Sequence, residues 1–555
     1  MSKALDQLAT EYHDFRQEAW PTFAHMQGDY RFAGQFEDIG RAAEDRDIEA
    51  SRDFARRAGA LSEDGLDHQQ RITRSMLAWD ASSRADFLEA RLEELNIDPV
   101  SGWQQMLPVV LPKLGLPTVE VAEAMVDKFR GIADGFRAAG ERHREGVSRG
   151  RTPARFAVDD TVVQLDAWLA KPVDEDPILT LGVTPPRLDR DAWLGRIRSV
   201  VRDELRPTVE AYRDLLRDEI APTGRSDDEV GLGWLPDGED AYQRAIRYYT
   251  TLDLSAQEIH DIGLAQIDKL AGEYRQLGRE VLETDELAEI FERMRSDPEL
   301  HHTNGPEIVS ASKAAMAKAT AAMGDWFGVL PQAGCDVEEV SGGAIAYYFP
   351  PAKDGSRGGV FFMNTSDPTG WGRFEIEATS FHEGVPGHHL QLAIASELEG
   401  IAEFRKWSFI AAYGEGWGLY TERLADEMGL YSTPMDRMGM LAADSMRACR
   451  LVVDTGMHAL GWSRQRAIEY MGANSPQRES HVRAEIDRYV VSAGQALAYM
   501  IGRLEIQRIR ADAERALGRR FDIKAFHDTV LASGAVPLPL LGQLVEEWAA
   551  AADRR

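Results

Sequence analysis

The stretch 116-LPTVEVAEAMVDKFRGIADGFRAAGERHREG-146 sets apolar residues at helical spacing among Ala, Glu and Arg, and 189-DRDAWLGRIRSVVRDELRPTVEAYRDLLRDEI-220 repeats the pattern. Most of the chain keeps this period, so the fold is expected to be mainly α. Prolines and glycines gather at 171-KPVDEDPILTLGVTPP-186 and 221-APTGRSDDEVGLGWLPDGED-240, which read as long surface connections. There is no repeat of fixed period and no stretch with the composition of a flexible linker. The 555 residues are therefore expected to form one large, two-lobed unit, with 1–240 as a mainly helical N-terminal part and 241–555 as the part bearing the chemistry.

Apolar residues make up 44% of the chain and charged residues 28%, enough for a full core and without a disorder signature. Acidic residues outnumber basic ones by 92 to 63, a formal charge of -29 that argues against a nucleic-acid partner, whose phosphates need a basic face. The opening MSKALDQLATEYHDF lacks a basic segment followed by an apolar run, and no window holds 18 uninterrupted apolar residues. Neither export nor a membrane partner is expected. Cys335 and Cys449 are the only cysteines, so a disulfide framework is excluded, a cytoplasmic location fits, and any metal would be held by His and carboxylates.

Two short runs break the helical pattern. In 343-GAIAYYFPP-351 and 358-GGVFFMNTSD-367, aromatic and other apolar residues flank the turn-like AKDGSR, which predicts a β-hairpin or small sheet just before the histidine cluster. An unpaired edge there, with Tyr347 on it, could hold an extended peptide as substrate; a hairpin that merely covers the core is the competing reading.

His382, His388 and His389 fall within 379-TSFHEGVPGHHLQLAIASE-397. In the zinc-hydrolase helix two His four residues apart share a face, about 6 Å apart along the axis, and the Glu after the first is the general base. Here the fourth position is Pro386. On an unbroken helix His388 would stand about 9 Å away and roughly 240° round, and His389 about 10.5 Å away. Proline removes a backbone donor and clashes with the preceding turn, while glycine tolerates the dihedrals beside such a defect. If two residues of Gly384-Val385-Pro386 bulge outward, Gly387-His388 drops into the ordinary ligand position. His382 and His388 then become metal ligands and Glu383 the general base toward water. A three-residue bulge would present His389 instead, and capping or core polar roles at a helix break are the alternative to any metal.

A third ligand is offered by 412-AYGEGWGLYTERLADEMGLY-431, where Glu415 and Glu422 are seven apart and share a helix face. A catalytic zinc takes three protein ligands and keeps one open position. Glu415 is the expected ligand, with Glu422 as its competitor or as the group that orients a ligand histidine. Gly414, Gly416 and Gly418 permit close helix approach.

The motifs HEGVPGHH, YGEGWGLYTERL, DTGMHALGWS and GQALAYMIGRLEIQRIR together resemble the bacterial family known as domain of unknown function 885, over most of the chain and most densely from about 340 to 515. That family is similar in fold to the thermostable carboxypeptidase Taq group, and more distantly to thimet oligopeptidase and angiotensin-converting enzyme. These are α-helical zinc peptidases with a deep central cleft between two lobes. Gly387-His388 matches the Gly-His of their compact motif and Glu415 their later ligand Glu, while this chain has two extra residues before Pro-Gly-His. The resemblance implies a zinc metallohydrolase.

Attack on an amide needs an oxyanion donor opposite the general base, and in 494-GQALAYMIGRLE-505 Tyr499 shares a helical face with Gln495 and Gly502. Tyr489 is a second, earlier candidate on the substrate side. Release of a C-terminal residue calls for a cation on the free carboxylate. The segment 444-DSMRACRLVVDTGMHALGW-462 supplies Arg447 and Arg450, with Arg450, Asp454 and His458 in one column; a buried ion pair explains that column as well as a substrate clamp does. His301 and His302 are expected on a surface turn. The reading is a zinc metallopeptidase, carboxypeptidase- or oligopeptidase-like, hydrolysing short peptides as a monomer or homodimer. Its alternatives are hydrolysis of a small non-peptide amide or modified amino acid, and peptide binding without catalysis.

Overall fold

Reciprocal capping boxes start two of the longest helices: Ser255 with Glu258 opens Ala256–Val281, and Thr433 with Asp436 opens Pro434–His458. Pro434 sits at the first helical turn, where its missing N–H costs nothing. A computed structural model describes residues 3–342, 344–352, 355 and 357–553, and within them the fold is mainly α, as the periodicity predicts.

Two of the four apolar clusters among the described residues show how the two ends of the chain are organised. Residues 97–221 close on their own cluster around Phe129, Phe136, Trp168, Trp193 and Leu205. A larger cluster joins the two ends of the chain, with Tyr12, Phe54 and Met76 packing among Phe381, Leu390, Trp417, Ile506 and Leu541. The N-terminal helices thus help bury the helices that carry the candidate site.

The small sheet contains β1 (Cys335–Val340), β2 (Ala346–Phe349) and β3 (Gly359–Asn364). β3 is central, parallel to β1 and antiparallel to β2. The predicted hairpin is the β2–β3 pair; Gly343 and parts of the turn AKDGSR (353, 354 and 356) lie outside the described residues. β1 goes beyond the expectation, since CDVEEV has only Val337 turned inward and offers little hydrophobic signal.

Four helices frame the site: the histidine helix (Glu375–Glu383), the glutamate helix (Ala411–Glu427), the arginine helix (Pro434–His458) and the tyrosine helix (Ala498–Leu517). The glutamate and tyrosine helices touch backbone to backbone. A β-carbon on Gly416 would come within 2.5 Å of Gly502 Cα, and one on Gly502 within 1.9 Å of the Ala412 carbonyl. Helical glycines cost about 1 kcal/mol each relative to alanine. Burial of Tyr413, Trp417 and Tyr420 from the same helix offsets that cost. No helix of the described residues is long and apolar enough to cross a membrane.

Candidate metal centre

The histidine helix ends at Glu383 and a new helix, His388–Glu397, begins five residues later. The expected outward bulge in a continuous helix is therefore replaced by a break that turns inward. Val385 is 7% exposed and packs in the larger core, the Val385–Pro386 peptide is cis, and the Pro386 carbonyl accepts the indole N–H of Trp417 at 3.0 Å. Gly387 lies so close beneath the histidine helix that a β-carbon would stand 1.9 Å from the His382 carbonyl oxygen. The inserted residues are apolar and bury better than they would extend into water, which is why the bulge does not form.

The break swings His388 to His382, with ring centroids 4.7 Å apart and planes at 86°. Glu415 completes the set: ligand-type atoms of the three residues all lie within 4.8 Å of one another. Its Oε2 is 3.5 Å from His382 Nε2 and 3.4 Å from His388 Nε2, long for hydrogen bonds. Two ligands bound tetrahedrally at about 2.0–2.1 Å stand about 3.3–3.4 Å apart, so the spacing fits three donors around one ion. His388 Nδ1 is buried and has no hydrogen-bond partner among the described residues.

Glu422 takes the other side of His382, whose Nδ1–H donates to it at 2.8 Å. That bond leaves the Nε2 lone pair pointing toward Glu415 and His388. Glu422 is thus placed as the orienting carboxylate and Glu415 as the one beside both imidazoles. Although burial opposes a charge on His382, contact with Glu415 and Glu422 pushes its pKa up to about 9. Burial raises the Glu415 carboxyl, but the two imidazoles outweigh it and hold it well below the usual range. The raised imidazole marks the negative potential that Glu415 and Glu422 place on His382, which suits a cation. His389 points elsewhere: its Nε2–H donates to the Ala333 carbonyl at 3.0 Å and its Nδ1 accepts from the Tyr348 hydroxyl at 2.9 Å, which ties the new helix to β2.

Glu383 is half-buried, next to His382 at the end of the histidine helix. The Tyr499 ring stacks near His382, centroids 6.4 Å apart at 20°, and Arg450 lies 4.3 Å over the Tyr499 ring. Tyr499 is on the tyrosine helix with Gly502, but Gln495 falls in the preceding 3₁₀ turn and accepts from Arg488. Burial and Glu415 raise the Tyr499 phenol, against the pull of Arg450, Arg488 and Arg447.

Other expected site residues take structural positions. Arg450 donates to Glu485 at 2.7 Å and to the Tyr489 hydroxyl at 2.6 Å, so its partner is Glu485 rather than Asp454. Tyr489, expected on the substrate side, is fully buried, and its hydroxyl accepts from Arg450. His458 is also fully buried, with Nδ1 accepting from the Leu232 N–H at 3.1 Å and Nε2–H donating to the Tyr489 carbonyl at 3.0 Å. The His458 side chain has no free group for a substrate, since both nitrogens complete backbone hydrogen bonds that a buried chain must satisfy. Asp454 instead accepts from the Tyr242 hydroxyl at 2.5 Å and the Gly494 N–H at 3.2 Å. Tyr347 stacks on Phe362 at 5.0 Å on the sheet face opposite Tyr348, beneath Lys113, and so lies away from the histidine cluster. His301 and His302 are 7% and 4% exposed, not on an open turn. Glu485, Trp417 and Tyr348 were not singled out from sequence, because each acts through a partner distant in the chain.

Fold and cluster together define a mainly helical protein in which two buried histidines and a half-buried glutamate could hold a metal ion. The chain belongs to the family described as bacterial protein of unknown function (DUF885), whose model matches residues 21–545. Among solved structures it is similar to a provisionally assigned lipoprotein from Colwellia psychrerythraea, at 23% identity over 99% of each chain with a TM-score of 0.92. It is also similar to a provisionally assigned lipoprotein of unknown function from Shewanella oneidensis, at 17% identity over 98% of this chain and 100% of that one, with a TM-score of 0.77. At these identities the likeness establishes the fold. No curated protein matches the chain.

Proposed function

We propose that the protein is a zinc-dependent hydrolase of amide bonds in short peptides, with a fold of the kind found in the Taq carboxypeptidase group. The observation that carries this reading is the convergence of His382, His388 and Glu415 from three helices separated by a break and a loop, with Glu383 beside them. A divalent ion held by these three residues would supply Lewis acidity, polarising a carbonyl and lowering the pKa of water. Glu383 takes the proton from the attacking water and delivers it to the leaving amine. Tyr499 donates to the developing oxyanion, and Glu422 keeps His382 in the tautomer a metal requires. The β2 edge next to the histidine helix would align the substrate backbone by strand pairing.

The protein acts in this reading in the cytoplasm, without nucleic acid or membrane, as a monomer or homodimer. The lipoprotein descriptions of its structural relatives offer a lipid-anchored location instead, which cell fractionation separates. The test of the activity is metal content per chain beside a His382→Ala His388→Ala double variant, followed by peptide and simple-amide substrate panels. About one zinc in the parent, none in the variant, and a loss of roughly 10²–10⁴-fold in turnover for Glu383→Gln are expected. Turnover of small amides alone would move the substrate class. Peptide binding without turnover in the zinc-loaded protein would make it a binding protein, and full activity in Glu383→Gln would sink the mechanism.

A further inference from the structure

The histidine helix carries an acidic group at the end away from the metal ligands. Glu375 stands seven residues before His382, which puts both on one face, about 10.5 Å apart along the axis. Glu375 lines a cavity of about 300 Å³ whose wall is mostly polar, with Met294, Ile345, Trp371 and Phe374 as its large apolar members. Strand β2 connects this cavity with the histidine cluster. Ile345, the residue before the strand, lines the cavity, and Tyr348 within the strand bonds His389, the neighbour of His388. Three residues of strand cover about 10 Å, the same distance that the helix covers between Glu375 and His382.

The charged side chains of the wall differ in what already holds them. Arg295 donates to the carbonyls of Gly472, Ser475 and Gln477 at 3.0 Å and to Glu292 at 3.2 Å, so it fixes the loop before Arg478. Arg478 donates to the Thr369 carbonyl, and Asp367 accepts from the Thr369 N–H and hydroxyl. Glu375 has one oxygen on the Gly372 N–H at 2.8 Å and no ion-pair partner among the described residues. His301 faces Gly372 across an isolated bridge, is 7% exposed, and its Nδ1–H donates to the Asp297 carbonyl at 2.9 Å. A carbonyl only accepts, so the neutral ring of His301 presents Nε2 as a lone pair, which no described residue engages. Two acceptors without donors thus flank Gly372, beside the Phe374 ring, whose centroid is 6.2 Å from that of His301. Burial pushes the Glu375 carboxyl up to about 7, against the pull of Arg478 and Arg447. Burial also favours the neutral form of His481, which adds no opposing charge. A carboxylate and an imidazole lone pair next to aromatic rings gain most from a cation that carries N–H donors.

We infer that this cavity receives a cationic group of the substrate, an ammonium or guanidinium, which Glu375 and His301 hold about three residues from the amide that is cut. This rests on the amide-hydrolase reading and narrows its substrates to peptides with a positive charge at that distance. The binding step itself does not require the metal.

The test is calorimetric titration of metal-free protein with butylguanidinium and with butylurea, which share a shape and differ in charge. The cation is expected to bind the parent about 10–100-fold more tightly, the range for a hydrogen bond to a charged group. Because a chain of formal charge -29 attracts any cation, exposed Glu399→Gln serves as the control and should leave the preference unchanged. Glu375→Gln should erase it and His301→Gln should reduce it, with helical content checked by circular dichroism; the second variant reads the same pocket should the first fail to fold. Equal affinity for the two probes, no measurable binding of butylguanidinium, a preference that survives both variants, or an equal loss in Glu399→Gln would each overturn the pocket. Zinc-loaded protein then tells the sources of the charge apart. A lower KM for peptides with a free rather than an acetylated N-terminus assigns the cavity to the α-ammonium, and a lower KM for lysine over norleucine assigns it to a side chain. Cation preference without hydrolysis of any peptide leaves the pocket standing and removes the hydrolase reading; hydrolysis indifferent to both charges does the reverse.

Discussion

The imidazole of His382 lies directly over Gly418, where a β-carbon would stand 2.6 Å from Cε1. Gly418 comes three residues after Glu415 and four before Glu422, so all three lie along one face of the glutamate helix. The ring spans the gap between the two carboxylates, with Nε2 toward one and Nδ1 on the other. Gly418→Ala is expected to push the ring off both, with an overpacking cost of about 1–3 kcal/mol and a weakening of metal affinity of at least about 10-fold. Gly272→Ala, a helical glycine with open space where the methyl would go, is the control and should leave metal binding unchanged. Unaltered metal affinity in Gly418→Ala would show that His382 does not need this bed.

Glu422 orients His382 from the side away from Glu415. Glu422→Gln should retain the fold and lower metal affinity by about 10–100-fold, read by competition with a chromophoric chelator. An affinity equal to that of Glu415→Gln would make the two carboxylates equivalent and dismiss the distinction between ligand and orienter.

The two adjacent histidines separate cleanly by variant. His388→Ala should lose the metal. His389→Ala should keep it while losing the hydrogen bonds to Tyr348 and Ala333, at a cost of roughly 1–3 kcal/mol in urea unfolding. Metal loss confined to His389→Ala would reverse their roles.

His458 supplies a pH signature far from the cluster. Burial pushes its pKa down to about 4 from an ordinary 6.5, against a weaker opposing effect of its hydrogen bond to Tyr489. The folded state therefore refuses a proton that the unfolded chain takes, so the stabilisation is full above about pH 6.5 and is lost as the pH falls toward 4. The amount at stake is on the order of 3 kcal/mol. His458→Gln removes this titration, and the stability gap between the two proteins should narrow by roughly 1 kcal/mol per pH unit below 6.5. A gap independent of pH would mean that His458 is not buried neutral.

The helical class, the hairpin and the His-Glu-Gly residues of the centre are legible in the chain because periodicity and short spacings are local properties. His382, His388 and Glu415 are three such residues, and Glu415 with Glu422 shows its common face by a seven-residue spacing alone. The inward course of Gly384–Gly387 was not legible, since it depends on core space beside Trp417. Nor were the partners of Arg450 and His458, because Glu485 and Leu232 reach them from other elements. A column of polar residues on one helix looks the same whether it meets a substrate or another helix.

By itself the sequence determined that the chain is mainly helical, that the ligands it could offer a metal are limited to imidazole and carboxylate, and which short segments carry those side chains. Tertiary structure decided which histidine joins His382, which carboxylate orients it, and which carboxylate pairs with Arg450. The physical reason is reach: composition and period act over a few residues, whereas a cluster of side chains and an ion pair are defined by groups that only packing brings within a few ångströms.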